Sequence, residues 1–218
     1  STGSQSEISN LYLIDVDIVG RSRTGGAVGY SSSKINNVHV TGSVKGTSNV
    51  GGVLGSGSNI SNSSFKGTVE GTSKVGGLAG SSQATMQYNY TEGKVIGESD
   101  VGGLIGEYRV SYNAYRSVKD SYTSADVVGD SSVGGFIGKM VSSGTLEVKN
   151  SYSSGTVTGN TNVGTLVGET EGIFQSESQK YGTNQFKSVY SLAQDGLNHI
   201  GKSSHATLEN SESLSSTD

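Results

Sequence analysis

Cysteine is missing from this 218-residue chain, which excludes disulfides, zinc–thiolate sites and thiol chemistry. Its absence suits either redox compartment and so does not locate the protein. Large apolar residues are scarce as well. The 23 Val, 11 Leu, 10 Ile and 4 Phe make 48 of 218 residues, roughly 22 %, close to the range in which disorder becomes the default. A chain this lean cannot fill a broad globular core, but a narrow stack of repeats needs only a few inward side chains per turn. The formal net charge is −4 with mixed signs, so there is no basic footprint for nucleic acid or an anionic membrane. No run of about 18 apolar residues occurs, and no charged-then-apolar leader follows Ser1, so the segment is expected to be soluble and not inserted in a membrane.

What the chain does have is a phrase written six times: GRSRTGGAVG, GTSNVGGVLG, GTSKVGGLAG, GESDVGGLIG, GDSSVGGFIG and GNTNVGTLVG. With the first glycine of the pair as origin (Gly25, Gly51, Gly76, Gly102, Gly134, Gly164), the spacings are 26, 25, 26, 32 and 30 residues. A period in this range signals stacked repeats. The expected fold is all-β, a parallel β-solenoid (β-helix) of coils about 25 residues long with loop insertions. Residues 1–14 read as an N-terminal lead-in or edge and 15–168 as six repeats. Residues 169–218 read as a degenerate seventh copy (Tyr190, Gly196, His199-Ile200-Gly201), a cap and a linker.

Aligned columns give the repeat a physical reading. Ile18, Val44, Val69, Val95, Val127 and Val157 stand seven residues before the origin, and Ala27-Val28, Val53-Leu54, Leu78-Ala79, Leu104-Ile105, Phe136-Ile137 and Leu166-Val167 just after it. Such residues pack well on a pleated surface and are the expected core. Glycine recurs at −5 and at +4 in all six copies, where the chain needs positive φ or another backbone leaves no room for Cβ. A Ser or Thr always stands at −3, where its hydroxyl is expected to bond backbone within the turn. The looser half of each repeat carries Asn or Ser near an aromatic (NSSF 62–65, YNY 88–90, DSY 120–122, NSY 150–152, SVY 188–190). Tyr90, Tyr122 and Tyr152, with Phe65 one residue out of step, predict a half-buried aromatic ladder whose hydroxyls reach solvent, a surface also suited to stacking on glycans. His39 falls in the same column.

The phrase V-G-G-L-apolar-G, preceded by G-x-V-x-G-x-S and N-S-Y, resembles the GLUG repeat over roughly residues 8–168. That repeat occurs in large bacterial surface and secreted proteins, including adhesins and streptococcal immunoglobulin A peptidases. The resemblance implies an extracellular bacterial module joined to neighbouring domains of its parent chain. A zinc peptidase of that kind needs H-E-x-x-H. Neither His39, His199 nor His205 lies in that pattern, and no G-x-S-x-G elbow or GxxxxGK[ST] loop is present. The segment is therefore expected to be no enzyme and to need no cofactor, with calcium the one ion its acidic residues could recruit, at Asp15 and Asp17.

The departures from the repeat point to a binding site. The stretch EYRVSYNAYRSV, 107–118, brings Tyr108, Arg109, Tyr112, Tyr115 and Arg116 together, and Tyr and Arg are favoured at binding hot spots. Solenoid insertions usually project on one side, and a second lengthening at 139–150 could pack beside the first; a third spans 173–186. The alternative is that all three are extra turns or caps. The leading expectation is an adhesion module that recognises host glycan or protein. A structural spacer, and an accessory region of a secreted peptidase or polysaccharide-degrading enzyme, are the alternatives.

Overall fold

Successive repeats lie side by side and in register. The computed structural model describes residues 6–57, 59–172, 183–203, 206–209 and 211–214, and within them the fold is all-β, without a helix. The strands form two sheets of parallel pairs, one of 14 strands and one of 12. Each strand pairs with its equivalent one repeat away. Thus Ile18, Val44, Val69, Val95, Val127 and Val157 stand opposite one another in turn. So do Ser48, Ser73, Ser99, Ser131 and Thr161. This arrangement is consistent with the β-solenoid expected from the period.

The core lies where the columns placed it, with additions. Val44, Val69, Val95 and Val127 are buried, as are the apolar pairs from Val53-Leu54 to Leu166-Val167. A column not anticipated from the sequence, at −1, is buried too: Val50, Val75, Val101 and Val133. The looser half contributes Ile35, Ile60, Met86, Val118, Val148 and Phe186, all fully buried and stacked across neighbouring strands. Each tier buries only a few apolar groups, so stability comes from repetition of short-range contacts.

Two columns of left-handed residues make the corners. Arg23, Asn49, Lys74, Asp100, Ser132 and Asn162, at −2, take φ of 51 to 53°, a conformation uncommon outside glycine and enriched in Asn and Asp. The glycines at +4 do not share it; they serve close approach. A Cβ on Gly106 would sit 2.5 Å from the carbonyl carbon of Lys74 and the nitrogen of Val75, backbone of the preceding tier's left-handed turn. Turn and glycine therefore interlock between tiers. The Ser and Thr side chains at −3 do not act as expected. Ser22, Ser48, Ser73, Ser99 and Ser131 form no side-chain hydrogen bond among the described residues, and the residue that follows each has positive φ.

The second left-handed column is Asn10, Asn37, Asn62, Tyr88, Asp120, Asn150 and Ser188, with φ of 48 to 57°, and it explains the N-S-Y phrase position by position. The first residue turns the chain, and its side chain links tiers, as Asn37 Nδ2 donates to Asn10 Oδ1 at 2.7 Å and Asn150 Nδ2 to Asp120 Oδ1 at 3.0 Å. The second points inward: Ser63, Asn89, Ser121 and Ser151 are buried. Their side-chain oxygens accept the backbone N–H of the preceding tier, from Val38, Ser63, Asn89 and Ser121 at 3.0 to 3.3 Å. The third points outward, and the fourth inward again. Phe65 is a fourth residue, opposite Val40 and Thr91 and 1 % exposed. It therefore belongs to the core, not to the aromatic ladder in which the sequence reading put it.

The insertions lengthen strands. Ile105–Val110 and Tyr115–Lys119 carry the first and join at residues 111–114. The second stacks on it in register, Tyr108 opposite Met140 and Arg116 opposite Leu146. From the fourth repeat onward the longer strands bury Tyr108, Val110, Met140, Leu146 and Val148. Residues 173–182 of the third lengthening lie outside the described residues; Thr183–Leu192 continues the stack on Thr145–Ser153. In the degenerate copy, Tyr190 pairs with Tyr152 and Ile200 with Val167.

Candidate functional site

The five Tyr and Arg residues singled out in the first insertion do not form one surface. Tyr108 is fully buried, its hydroxyl donating to the backbone oxygens of Ala84 at 2.6 Å and Ser117 at 3.3 Å. Burial pushes its phenol far above the usual range. A ring without exposed surface cannot meet a partner, so Tyr108 is withdrawn from the binding candidates. Arg109 turns to the Glu107 carboxylate at 2.9 Å, on the side that carries the charged rungs. Tyr112 and Tyr115 are exposed, 44 % and 53 %. The Tyr115 hydroxyl donates to Glu147, and burial followed by that carboxylate raises its phenol to about 12. Arg116 Nε donates to the Gln83 carbonyl at 3.1 Å. It borders an open cleft of about 680 Å3 with Ser32, Ser33, Asn59 and Thr85. Loss of Tyr108 to the core leaves a scattered set rather than a hot spot.

The acidic candidates lie on the first strand. A bulge breaks the first strand, Glu7–Val19, between Leu13 and Val16, so two residues face Thr41 alone. Asp15 occupies the bulge with φ 53°, its backbone N–H donating to Thr41 Oγ1 at 3.0 Å. Asp15 and Asp17 are both exposed, on either side of the partly buried Val16. Among the described residues no three His, Cys, Asp or Glu side chains are close enough to hold a metal ion.

Charges gather instead in a row unseen in the sequence, at +5, where Glu107, Lys139, Glu169 and Lys202 alternate across neighbouring strands. Lys74 reaches Glu107 at 3.0 Å, and Lys202 and Lys139 reach Glu169 at 2.8 and 3.5 Å. Burial raises the Glu107 carboxyl, but hydrogen bonds from Arg109 and Lys74 more than offset this and hold it below the usual range. Every charge in this row has a partner, which marks it as structural cross-linking between tiers.

The outward column of the N-S-Y corner is different. Tyr12, His39, Ser64, Tyr90, Tyr122, Tyr152 and Tyr190 follow one another across paired strands. Tyr90, Tyr122 and Tyr152 stack with centroids 5.2 and 5.0 Å apart and planes within 6°. Tyr12 and His39 stack at 4.9 Å with a 29° tilt. His39 is fixed at both ring nitrogens, Nδ1 against Ser64 Oγ at 2.7 Å and Nε2 against Asn37 Oδ1 at 3.0 Å. Tyr12 and Tyr152 are 65 % and 45 % exposed, so the row is a surface feature outside the core. At Ser64 it is interrupted by an open cleft of about 400 Å3.

Comparison with known proteins finds no matching family model, no matching curated protein and no matching solved structure.

Proposed function

We propose that the chain is a parallel β-solenoid serving as a non-catalytic binding module of a larger bacterial surface or secreted protein, recognising host glycan or host protein. The extracellular, bacterial setting rests on the resemblance of its repeats to the GLUG motif. The observation that carries the binding reading is the row of aromatic side chains left outside the core from Tyr12 to Tyr152. Side chains with an apolar body and a polar tip are the ones enriched at recognition surfaces, and here they are set in one line across neighbouring strands. The rigid stack holds them at fixed spacing, which reduces the ordering cost of binding.

A glycan and host-protein array probed with the intact domain, beside a Tyr90→Ala/Tyr122→Ala/Tyr152→Ala variant, tests this. A specific hit lost in the folded variant supports the module. A hit retained by the variant, or a clean blank with a folded domain, overturns it. One observation favours a structural spacer as the second reading: the three central rings cover one another's faces and so contribute to cohesion between tiers. A blank array leaves that reading in front.

A further inference from the structure

Stacking needs a free ring face, and the ladder uses up most of its own. Tyr122 lies between Tyr90 and Tyr152 at 5.2 and 5.0 Å, so neither of its faces is open to a ligand. His39 has one face against Tyr12. The rung between His39 and Tyr90 is Ser64, which stands opposite both in the sheet. It is the one position of the column from Tyr12 to Tyr152 without a ring. The missing rung leaves a cleft lined by His39 and Tyr90, which stand two strand spacings, about 9.6 Å, apart; its floor, Ser64, is 5 % exposed, with its Oγ against His39 Nδ1 at 2.7 Å. A ring inserted midway would lie about 4.8 Å from each, the spacing of the ladder's own rungs and within the range of stacked contacts.

The surroundings choose the kind of ring. Lys66 and Glu92 stand two residues beyond Ser64 and Tyr90, paired at 3.2 Å, with the lysine side chain 71 % exposed. Together with Thr41 they line the same cleft. The slot therefore offers two apolar faces and a charged edge with donors and an acceptor. A pyranose matches this, because its C–H faces are apolar and its hydroxyls radiate from the ring edge. A protein aromatic side chain would match the two faces but offers that edge one hydroxyl at most. The other cleft on this face, about 220 Å3 and lined by Tyr152, Ser153, Ser154, Tyr190, Ser191 and Leu192, has no charged group. We propose that the slot at Ser64 binds one pyranose unit of a glycan, sandwiched between His39 and Tyr90 with its hydroxyls toward Lys66 and Glu92. The anchoring of His39 by Asn37 and Ser64 holds that side of the slot ready. This inference rests on the binding-module reading above.

The test is saturation-transfer NMR on the intact domain with methyl glycosides of glucose, galactose, mannose, N-acetylglucosamine and N-acetylgalactosamine, and with p-cresol as an aromatic probe. Ser64→Tyr supplies the missing rung, Tyr90→Ala removes one wall, and Tyr152→Ala is a distant control. Transfer from the wild type to at least one glycoside is expected. It should persist in Tyr152→Ala, vanish in Ser64→Tyr and weaken roughly three- to tenfold in Tyr90→Ala. Circular dichroism verifies each fold, and Tyr90→Ala carries the test if Ser64→Tyr does not fold. Transfer to no glycoside, binding that survives both slot variants, equal loss in Tyr152→Ala, or p-cresol binding in place of a sugar each overturn the proposal. An array hit that needs Tyr122 and Tyr152 but survives Ser64→Tyr would sink the slot and spare the module. Blanks in both experiments would remove both.

Discussion

Replacing Ser121 by alanine tests whether the buried residue of the N-S-Y corner holds successive tiers together. Ser121 is 2 % exposed. Its Oγ donates to the Lys119 carbonyl at 2.8 Å and accepts the Asn89 N–H of the preceding tier at 3.1 Å. Alanine removes both bonds. The Lys119 carbonyl still accepts from the Tyr88 N–H at 3.3 Å, but the Asn89 N–H is left in a buried site without an acceptor. An unsatisfied buried donor costs about 1–3 kcal/mol, and the lost oxygen is too small for a large cavity term. The expected destabilisation is about 2 kcal/mol in urea unfolding, or a thermal midpoint lower by roughly 4–8 °C for a chain of this size. Ser124→Ala, at an exposed position of the same segment, should stay within about 0.5 kcal/mol. Ser121→Asn should recover at least half the loss, since Asn89 already fills this role: its Oδ1 accepts from the Ser63 N–H at 3.0 Å and its Nδ2 donates to the Ile60 carbonyl at 3.1 Å. An alanine variant as stable as the wild type, or an asparagine variant as damaged as the alanine one, would refute the corner mechanism.

Two further changes probe the other corner. Burial, and then the neighbouring Glu107 charge, raise the Asp100 carboxyl above its usual range, so its ionised form is disfavoured in the fold. That penalty is absent below the unfolded-state pKa, grows as pH rises through the raised folded value, and is constant above it. Asp100→Asn, which keeps a residue type at home with φ 53° and already present at Asn49 and Asn162, should raise the thermal midpoint at pH 7. The gain should fade as pH falls below the carboxylate range; a lowered midpoint at pH 7 contradicts the assignment. Gly106→Ala places a methyl 2.5 Å from backbone of the preceding tier and should cost about 3 kcal/mol or more in urea unfolding. An unchanged midpoint would show that tiers do not interlock there.

The sheets were legible because one molecule aligns itself: six copies in register gave the inward valines and the glycine columns directly. What the glycines were for was not legible, since always-Gly is the trace of either positive φ or close approach. The positive φ belongs to Arg23, Asn49, Lys74, Asp100, Ser132 and Asn162, residue types so mixed that no column could announce it. The charged row was hidden for a related reason. Glu107, Lys139, Glu169 and Lys202 alternate in sign, so the position conserves an interaction between tiers and no single residue type.

The candidate site was hidden by parity. Counting from the glycine, Phe65 lies one residue from the Tyr column and completes it on paper. In a strand one residue is a change of face, and Phe65 turns inward beside Val40 and Thr91 while Ser64, itself 5 % exposed, stands in the row opposite His39 and Tyr90. An apparently continuous ladder thus conceals a gap. In a stacked array the filled rungs are explained by one another, since each ring is partner to the next and cohesion is reason enough for it to be there. Ser64 contributes to cohesion through its bond to His39 of the preceding tier, but it puts no ring between His39 and Tyr90, beside an exposed Lys66–Glu92 pair. That vacancy is where a ligand, rather than the next tier, can supply the missing contact.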